Sequence, residues 1–211
     1  MVAWLFRKLL RLAMNIINYG HLPEVLSTML VAGSLLVSTA NAAEKEDTLF
    51  DFSTAEQMDS WRIVNDGVMG GLSQSQMQLT GNKTAIFQGN VSLDNYGGFA
   101  SVRAIPTTNK TSGHTGIRLR VRGDGRNYQL RLRTDNRFDG ASYRSEFATK
   151  QDDWTVIDMP FAEMVPTFRG RVLADYPAID PSQIEQLGFL ISNKVAEPFR
   201  LEIDWIKAYT E

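Results

Sequence analysis

Short apolar runs alternate with clusters of Gly, Asn, Asp and Pro along most of the chain after residue 49. Runs of this length, separated by turn residues, are typical of strands in a sandwich or barrel. Only two stretches, 53–58 and 181–186, have the caps expected of a helical turn. The pattern therefore predicts one all-β sandwich domain. We expect its strands at 85–93, 98–105, 143–148, 154–159, 184–192 and 199–209, with a further pair over 116–134.

The clearest alternation lies in that pair. Three apolar residues alternate with arginines before residue 123, and the alternation resumes after residue 127. The Asp124-Gly125 pair between them favours a two-residue type I′ hairpin turn. We therefore predict that the two strands pair directly, with Val121 facing Tyr128. One face of the pair would then carry every arginine: Arg118, Arg120, Arg122, Arg131 and Arg133.

This register places Arg118 opposite Arg131, and like charges in that position destabilise a strand pair unless something neutralises them. Two interpretations are open. Carboxylates on neighbouring strands neutralise the arginines, with Glu146, Glu202 and Asp204 as the candidates. Alternatively, an anionic ligand lies across the sheet.

The first 42 residues have a different pattern. Arg7, Lys8 and Arg11 precede an apolar run at 29–37, and small residues follow around Ala42. A basic start, a short apolar centre and small residues at a cut site are typical of a secretory signal peptide. The apolar run is shorter than the roughly 20 residues that span a bilayer.

We predict cleavage after Ala42, which makes the protein periplasmic or secreted. The alternative is that residues 1–42 remain as an uncleaved anchor, which would be the chain's one membrane contact. Residues 43–48 are expected to form a flexible lead, and residues 49–211 a single domain.

Two glycine-rich runs stand out as candidate ligand-binding loops. The first lacks the ending of a phosphate-binding loop, so its glycines indicate turns or close backbone approach. Its candidate residues are Asn65, Asp66, Gly67, Met69, Gly70 and Gly71. The second run offers Asp94 and Asn95. Two oxygen donors are too few for a calcium site, and we predict neither a metal nor another cofactor.

Composition narrows the chemistry further. The chain has no cysteine and two histidines, which excludes disulfides, thiolate sites and a histidine-rich metal site. A formal charge of −2 gives no general attraction to nucleic acid. His114 lies in a polar run, where we expect a surface residue rather than a catalytic base. We expect Trp61, Trp154 and Trp205 in the core.

Several motifs in a fixed order resemble the complex I intermediate-associated protein 30 family. They include Trp61 with residues 65–73, residues 87–89 and 93–101, the run 122–128, Trp154, and residues 160–161, 168–170 and 199–206. The resemblance covers nearly all of residues 49–209. It implies a galactose-binding-like jelly-roll sandwich, and it carries over no catalytic residue. Mitochondrial relatives are assembly factors for respiratory complex I, whereas this chain differs by its predicted export signal.

The leading hypothesis is therefore a non-catalytic module that binds a glycan or another small polar ligand. The glycine-rich loops would hold the ligand, and the arginine face would favour acidic sugars through Arg118, Arg120, Arg131 and Arg133. A second hypothesis is an assembly or chaperone-like factor that holds a partner protein. A glycan-active enzyme is the third, although no pair of carboxylates is singled out as catalytic.

Overall fold

The computed structural model describes residues 45–106 and 111–210. Within them, thirteen strands form two sheets that pack face to face. The strands are β1 Lys45–Phe50, β2 Trp61–Ile63, β3 Gln74–Leu79, β4 Ala85–Asn90, β5 Ala100–Ala104, β6 Gly116–Arg122, β7 Asn127–Arg133, β8 Ser142–Ala148, β9 Trp154–Pro160, β10 Val165–Phe168, β11 Arg171–Val172, β12 Gln186–Ile191 and β13 Pro198–Thr210. The predicted signal segment lies outside the described residues.

Sheet A has six strands and is organised around the long strand β13. On one side β13 pairs with β6, which pairs in turn with the edge strand β9. On its other side, the first half of β13 pairs with β4 and the second half pairs with β1. Strand β3 extends the sheet beyond β4. Residues 45–48, which we expected in a flexible lead, therefore belong to the first strand.

Sheet B has seven strands in the order β11-β10-β8-β7-β12-β5-β2. All of its strand pairs are antiparallel. Strands β7 and β12 are central, so their residues have neighbours on both sides. The outer face of this sheet is separated from the outer face of sheet A by the core.

The core lies between the two sheets. Alternate residues of each central strand point inward, as period-two alternation requires. Leu119 of β6, Leu130 of β7 and Phe189 of β12 are all fully or almost fully buried. Trp61 stacks on Phe189, with ring centroids 6.1 Å apart, and Phe87 meets Phe199 edge-on. The all-β sandwich and its predicted strand positions are thus confirmed.

The predicted hairpin over 116–134 is wrong. β6 pairs with β13 and β9, whereas β7 pairs with β8 and β12, so residues 123–126 carry the chain from sheet A to sheet B. A Cβ on Gly123 would lie 2.3 Å from the Oγ1 of Thr149, so this turn packs tightly against the end of β8. The alternation predicts correctly which face of each strand is buried, but it contains no information about the pairing partner.

Two tryptophans differ from expectation. Trp61 is buried as predicted, but Trp154 and Trp205 are only partly buried. A register shift between Ile203 and Trp205 changes the alternation along β13. Trp205 then lies under Lys207, whose Nζ is 4.6 Å from the ring centroid.

Helical structure in the described residues is limited to short 3-10 turns. The predicted turn at 181–186 is present as Pro181–Gln183, and Asp180 caps it by accepting a hydrogen bond from Ser182 N at 2.9 Å. None of the helices in the described ranges is long and apolar enough to cross a membrane.

Candidate functional site

The two glycine-rich runs meet at one rim of the sandwich, where Asp66 joins them. Asp66 is fully buried. Its carboxylate accepts hydrogen bonds from the backbone and hydroxyl of Ser73 and from the backbone N–H groups of Gly98 and Phe99, at 2.5–3.2 Å. Burial opposes its ionisation, but these bonds outweigh burial and hold the pKa of the Asp66 carboxyl below its usual range.

The glycines of the rim make this clamp sterically feasible. A Cβ on Gly71 would lie 2.4 Å from the Cγ of Asp66, and one on Gly97 would lie 2.8 Å from its Oδ2. Gly70 closes the turn Asp66–Met69 with a φ of 92°, which a residue with a side chain rarely adopts. The close approach of backbone to carboxylate therefore depends on glycine.

The predicted rim residues divide into two groups. The side chains of Asn65 and Asp66 are engaged within the protein, because the Oδ1 of Asn65 accepts from Ser75 and from Ser101 N. Asp94 accepts from the hydroxyl of Ser92 at 3.2 Å. Gly67, Gly70 and Met69 face solvent, as does Asn95, whose φ is 52°. The rim residues are thus brought together, with Asp66 as an internal clamp.

The rim also exposes a set of apolar side chains, here called the rim patch. Tyr96 is 98% exposed, and its backbone has a left-handed φ of 61°. The rim patch comprises Val68, Met69, Leu72, Leu93 and Tyr96, all of them exposed. The sequence prediction treated these loops as polar and named only Met69 of this set.

The predicted arginine face is divided between the two sheets. Arg118, Arg120 and Arg122 belong to β6 in sheet A, whereas Arg131 and Arg133 belong to β7 in sheet B. Arg118 therefore does not face Arg131. This follows directly from the incorrect hairpin, since the two strands lie in opposite layers.

On sheet A, carboxylates neutralise the arginines. Arg118 bonds to Asp158 at 2.5 Å and to Glu46 at 2.7 Å. Arg120 pairs with Asp204, and Arg122 pairs with the buried Glu202 at 2.8 Å. Arg120 and Arg122 both lie over the ring of Trp154, at 4.7 and 4.9 Å from its centroid. The first interpretation of the arginines is correct for this face, with Glu202 and Asp204 in the expected role.

An open cleft of about 710 Å³ lies on the outer face of sheet A, across β3, β4 and β13. We call it the amide cleft because four side-chain amides line it. Gln76 and Gln88 face each other across β3 and β4, and Gln74 faces Asn90 in the next row. Among the described residues, none of these four amides takes part in a side-chain hydrogen bond. The sequence prediction missed the cleft, although the alternating glutamines of β3 were a usable signal.

Asp124 and Arg200 complete the cleft at the turn between the sheets. Asp124 accepts from the hydroxyl of Tyr128 at 3.0 Å and from the backbone N–H of Arg200 at 2.9 Å. Arg200 in turn donates to Glu202 at 3.1 Å. These charged groups are engaged with the protein, whereas the four amides have no side-chain hydrogen bond in the described part of the chain.

His114 is buried rather than on the surface, with 4% of its area exposed. Its Nε2 lies 3.2 Å from the Oδ2 of Asp47. Its two ring nitrogens lack a well-aligned hydrogen bond among the described residues. Within the same ranges, no cluster of three or more His, Cys, Asp or Glu side chains could hold a metal ion.

The model of the complex I intermediate-associated protein 30 family matches residues 50–203 of the chain. The chain belongs to this family. The match includes both loops of the rim, the residues that line the amide cleft and all seven strands of sheet B. It confirms the family that the sequence motifs indicated.

Curated members of the family are similar over most of this chain. Complex I intermediate-associated protein 30, mitochondrial, from Drosophila melanogaster is 28% identical over 182 residues, covering 76% of this chain and 62% of that protein. The protein of the same name from Mus musculus is 27% identical over 188 residues, covering 80% of this chain and 57% of its own length. The chain thus spans about three-fifths of the length of these relatives.

Solved structures share the fold at low sequence identity. The family 11 carbohydrate-binding module from Clostridium thermocellum, solved in complex with a β-1,3-1,4-mixed-linked tetrasaccharide, superposes with a TM-score of 0.59 at 15% identity. That match covers 77% of this chain and 94% of the module. An agarase superposes with a TM-score of 0.52 at 14% identity over 79% of this chain and 24% of its own. These matches confirm the predicted galactose-binding-like jelly-roll sandwich.

Proposed function

We propose that this protein is a non-catalytic, exported binding domain that takes a neutral glycan or a similar small polar ligand in the amide cleft. The observation that carries the proposal is the set of four free amides, Gln74, Gln76, Gln88 and Asn90, in one open cleft. Each amide offers both donors and an acceptor, which matches the hydroxyl groups of a sugar. The cleft has room for a ligand of a few sugar rings, since pockets for small molecules measure roughly 300–1,000 Å³.

The family and the fold support a binding role. The carbohydrate-binding module shares the sandwich, and its own structure holds a tetrasaccharide. The buried clamp at Asp66 supports it further, because it keeps the loops next to β3 and β4 in one arrangement. A cleft that is already organised loses less conformational entropy when a ligand binds.

The export part of the proposal rests on the sequence of residues 1–42. Cleavage after Ala42 would leave β1 intact, because this strand begins at Lys45. The intact mass of the protein purified from the periplasm should then correspond to a chain that begins at Ala43. A mass that includes residues 1–42 would contradict cleavage and favour the anchor.

Calorimetric titration with a panel of neutral oligosaccharides tests the binding site. The Gln76→Ala and Gln88→Ala variants should each bind about 3- to 10-fold more weakly than the wild type, because each loses hydrogen bonds to the ligand. Gln183→Ala is the matched control, since Gln183 is an exposed amide in the turn before β12 of the other sheet. No binding by the wild type, or equal loss in the control, would contradict the proposal.

A second candidate function is the assembly role that the names of the mitochondrial relatives indicate. The rim patch favours it, because several exposed apolar side chains on two joined loops are typical of protein-docking surfaces. Affinity capture from the periplasm with Met69→Ser and Tyr96→Ser tests it. A partner retained by the wild type and by the Val156→Ser control, but lost by both rim variants, would support assembly. Retention by the rim variants would contradict it.

A further inference from the structure

Arginines form a row across the outer face of sheet B. The strand register places Arg103 of β5 beside Gly188 of β12, Gly188 beside Arg131 of β7, and Arg131 beside Arg144 of β8. Arg133 lies two residues further along β7 and therefore on the same face. We call these four residues, Arg103, Arg131, Arg133 and Arg144, the arginine row.

Gly188 leaves a gap in the middle of the row. A Cβ at this position would lie 2.3 Å from the backbone oxygen of Val102, so the strand packing requires glycine here. No side chain therefore separates Arg103 from Arg131 along the row. Gly188 itself is buried, whereas Arg103 and Arg131 on either side of it are partly exposed.

Three members of the row bond only to neutral oxygens within the described residues. Arg131 donates to the Oε1 of Gln129 at 3.0 and 3.2 Å. Arg103 donates to the backbone oxygen of Phe138 at 3.0 Å, and Arg133 donates to that of Gly140 at 2.7 Å. Only Arg144 has an ion pair there, with Glu146 at 3.0 Å.

The nearby carboxylates bond to partners other than Arg103, Arg131 and Arg133. Asp135 pairs with Arg137 at 2.6 Å, and Asp139 pairs with Arg169 at 2.5 Å. Glu146 bonds to Arg144 and to Gln129. The charges of these three carboxylates act on the arginine row over a distance, but none of the carboxylates bonds to Arg103, Arg131 or Arg133.

The row is therefore electrostatically unfavourable in the free protein. Burial, together with the charge of neighbouring arginines, lowers the pKa of Arg103 and of Arg131 to about 10. Both of these guanidinium groups remain charged at neutral pH, so the folded protein retains both the desolvation and the repulsion. On sheet A the same chain provides carboxylates for Arg118, Arg120 and Arg122. The contrast indicates that the missing negative charge on sheet B comes from a ligand.

We propose that the arginine row is a second binding site, which takes an oxyanion group of a small ligand at its partly exposed guanidinium groups on either side of Gly188. Guanidinium groups bind carboxylate, sulfate and phosphate through paired hydrogen bonds, so the site recognises the chemistry these three share. Phe138 adds an apolar surface, because its ring is 63% exposed and lies 5.8 Å from the guanidinium carbon of Arg103. A sugar acid uses both features, whereas free phosphate uses only the charges.

This site lies on the outer face opposite the amide cleft, so the two proposals are tested separately. Calorimetric titrations of the full chain would use trigalacturonate, inorganic sulfate and inorganic phosphate, each at two NaCl concentrations. At least one of these probes should bind, and its affinity should fall as NaCl rises. Preference for trigalacturonate identifies a sugar acid as the ligand, and equal affinity for the inorganic ions identifies the oxyanion alone.

Matched variants locate the binding. Arg131→Gln and Arg103→Gln should each weaken binding about tenfold or more, because each removes a charged hydrogen-bond donor. Arg120→Gln is the control on sheet A, and it should leave binding of the anion unchanged. Thermal unfolding checks that each variant is folded, and Arg103→Gln serves as the test if Arg131→Gln does not fold.

Two results would overturn the proposal. One is the absence of binding by the wild type to all three probes at millimolar concentration and low salt. The other is a loss of affinity in Arg120→Gln as large as that in Arg131→Gln or Arg103→Gln. Binding of neutral sugars in the amide cleft would be unaffected by either result.

Discussion

At the scale of single residues, the side chain that joins the two loops of the rim is the buried Asp66. Asp66 was predicted to bind a ligand because it stands among glycines in a polar run. Its burial and its four hydrogen bonds show that it connects two loops instead. Sequence reasoning singled out this segment because glycine marks close backbone approach. It could not tell which way the carboxylate points, since that depends on Gly98 and Phe99, more than thirty residues away.

We predict that Asp66→Asn lowers the free energy of unfolding by about 3 kcal/mol. The amide keeps the size of the carboxylate but loses one of its acceptor oxygens, so a buried N–H group is left without a partner. Urea unfolding monitored by tryptophan fluorescence measures the change. Asp180→Asn is the control, because the carboxylate of Asp180 caps a short exposed turn. This variant should lower the free energy of unfolding by well under half of the loss in Asp66→Asn. An unchanged midpoint for Asp66→Asn would contradict the clamp.

The ionisation of Asp66 also gives stability a pH dependence. Its pKa is lower in the folded protein than in the unfolded chain, where it is about 3.9. The unfolded chain therefore binds more protons between the two values, so the stabilisation is complete above pH 4–5 and is lost as the pH falls through the folded pKa. The difference in unfolding free energy between the wild type and Asp66→Asn should shrink over that acidic window. A difference that stays constant from pH 6 to pH 2 would contradict an ionised clamp.

At the scale of elements, the link between β6 and β7 shows what alternation can and cannot predict. The inward and outward residues of both strands were predicted correctly, because a buried apolar face requires a period of two. The pairing of β6 with β7 was predicted wrongly, because an Asp-Gly pair is compatible both with a tight hairpin and with a link between the two sheets. What distinguishes them is distant in sequence: Thr149 packs on Gly123, and Asp124 reaches the backbone of Arg200.

A double-mutant cycle tests the bond that holds this link. The hydroxyl of Tyr128 donates to both oxygens of Asp124 at 3.0 Å, and its ring is fully buried. Burial is the main reason that the pKa of Tyr128 is raised, so the hydroxyl remains a donor at any ordinary pH. We predict a coupling of about 1–2 kcal/mol between Asp124→Ala and Tyr128→Phe in urea unfolding. Strictly additive effects would show that the two side chains do not interact in solution.

At the scale of the whole molecule, two outer faces built from similar strands differ in their chemistry. Sheet A carries ion pairs and uncharged amides, whereas sheet B carries arginines that bond mainly to neutral oxygens. The sequence allowed the fold and the family to be predicted, because strand periodicity and ordered motifs are local. The amide cleft and the arginine row were missed, since both join residues of strands that become neighbours only in the folded sheet. The alternating glutamines of β3 indicated one polar strand of the cleft, but not its partner strand.

The most direct test of the account is an NMR titration of the ¹⁵N-labelled protein with a pool of neutral oligosaccharides. We predict that the sugars shift a common set of side-chain amide signals, while the signals of the core stay fixed. The set comprises the amides of Gln74, Gln76, Gln88 and Asn90. The sugars should be recovered unchanged, because the cleft binds without chemical conversion. Cleft signals that do not move at millimolar sugar, or the appearance of new reducing ends during the titration, would contradict the account.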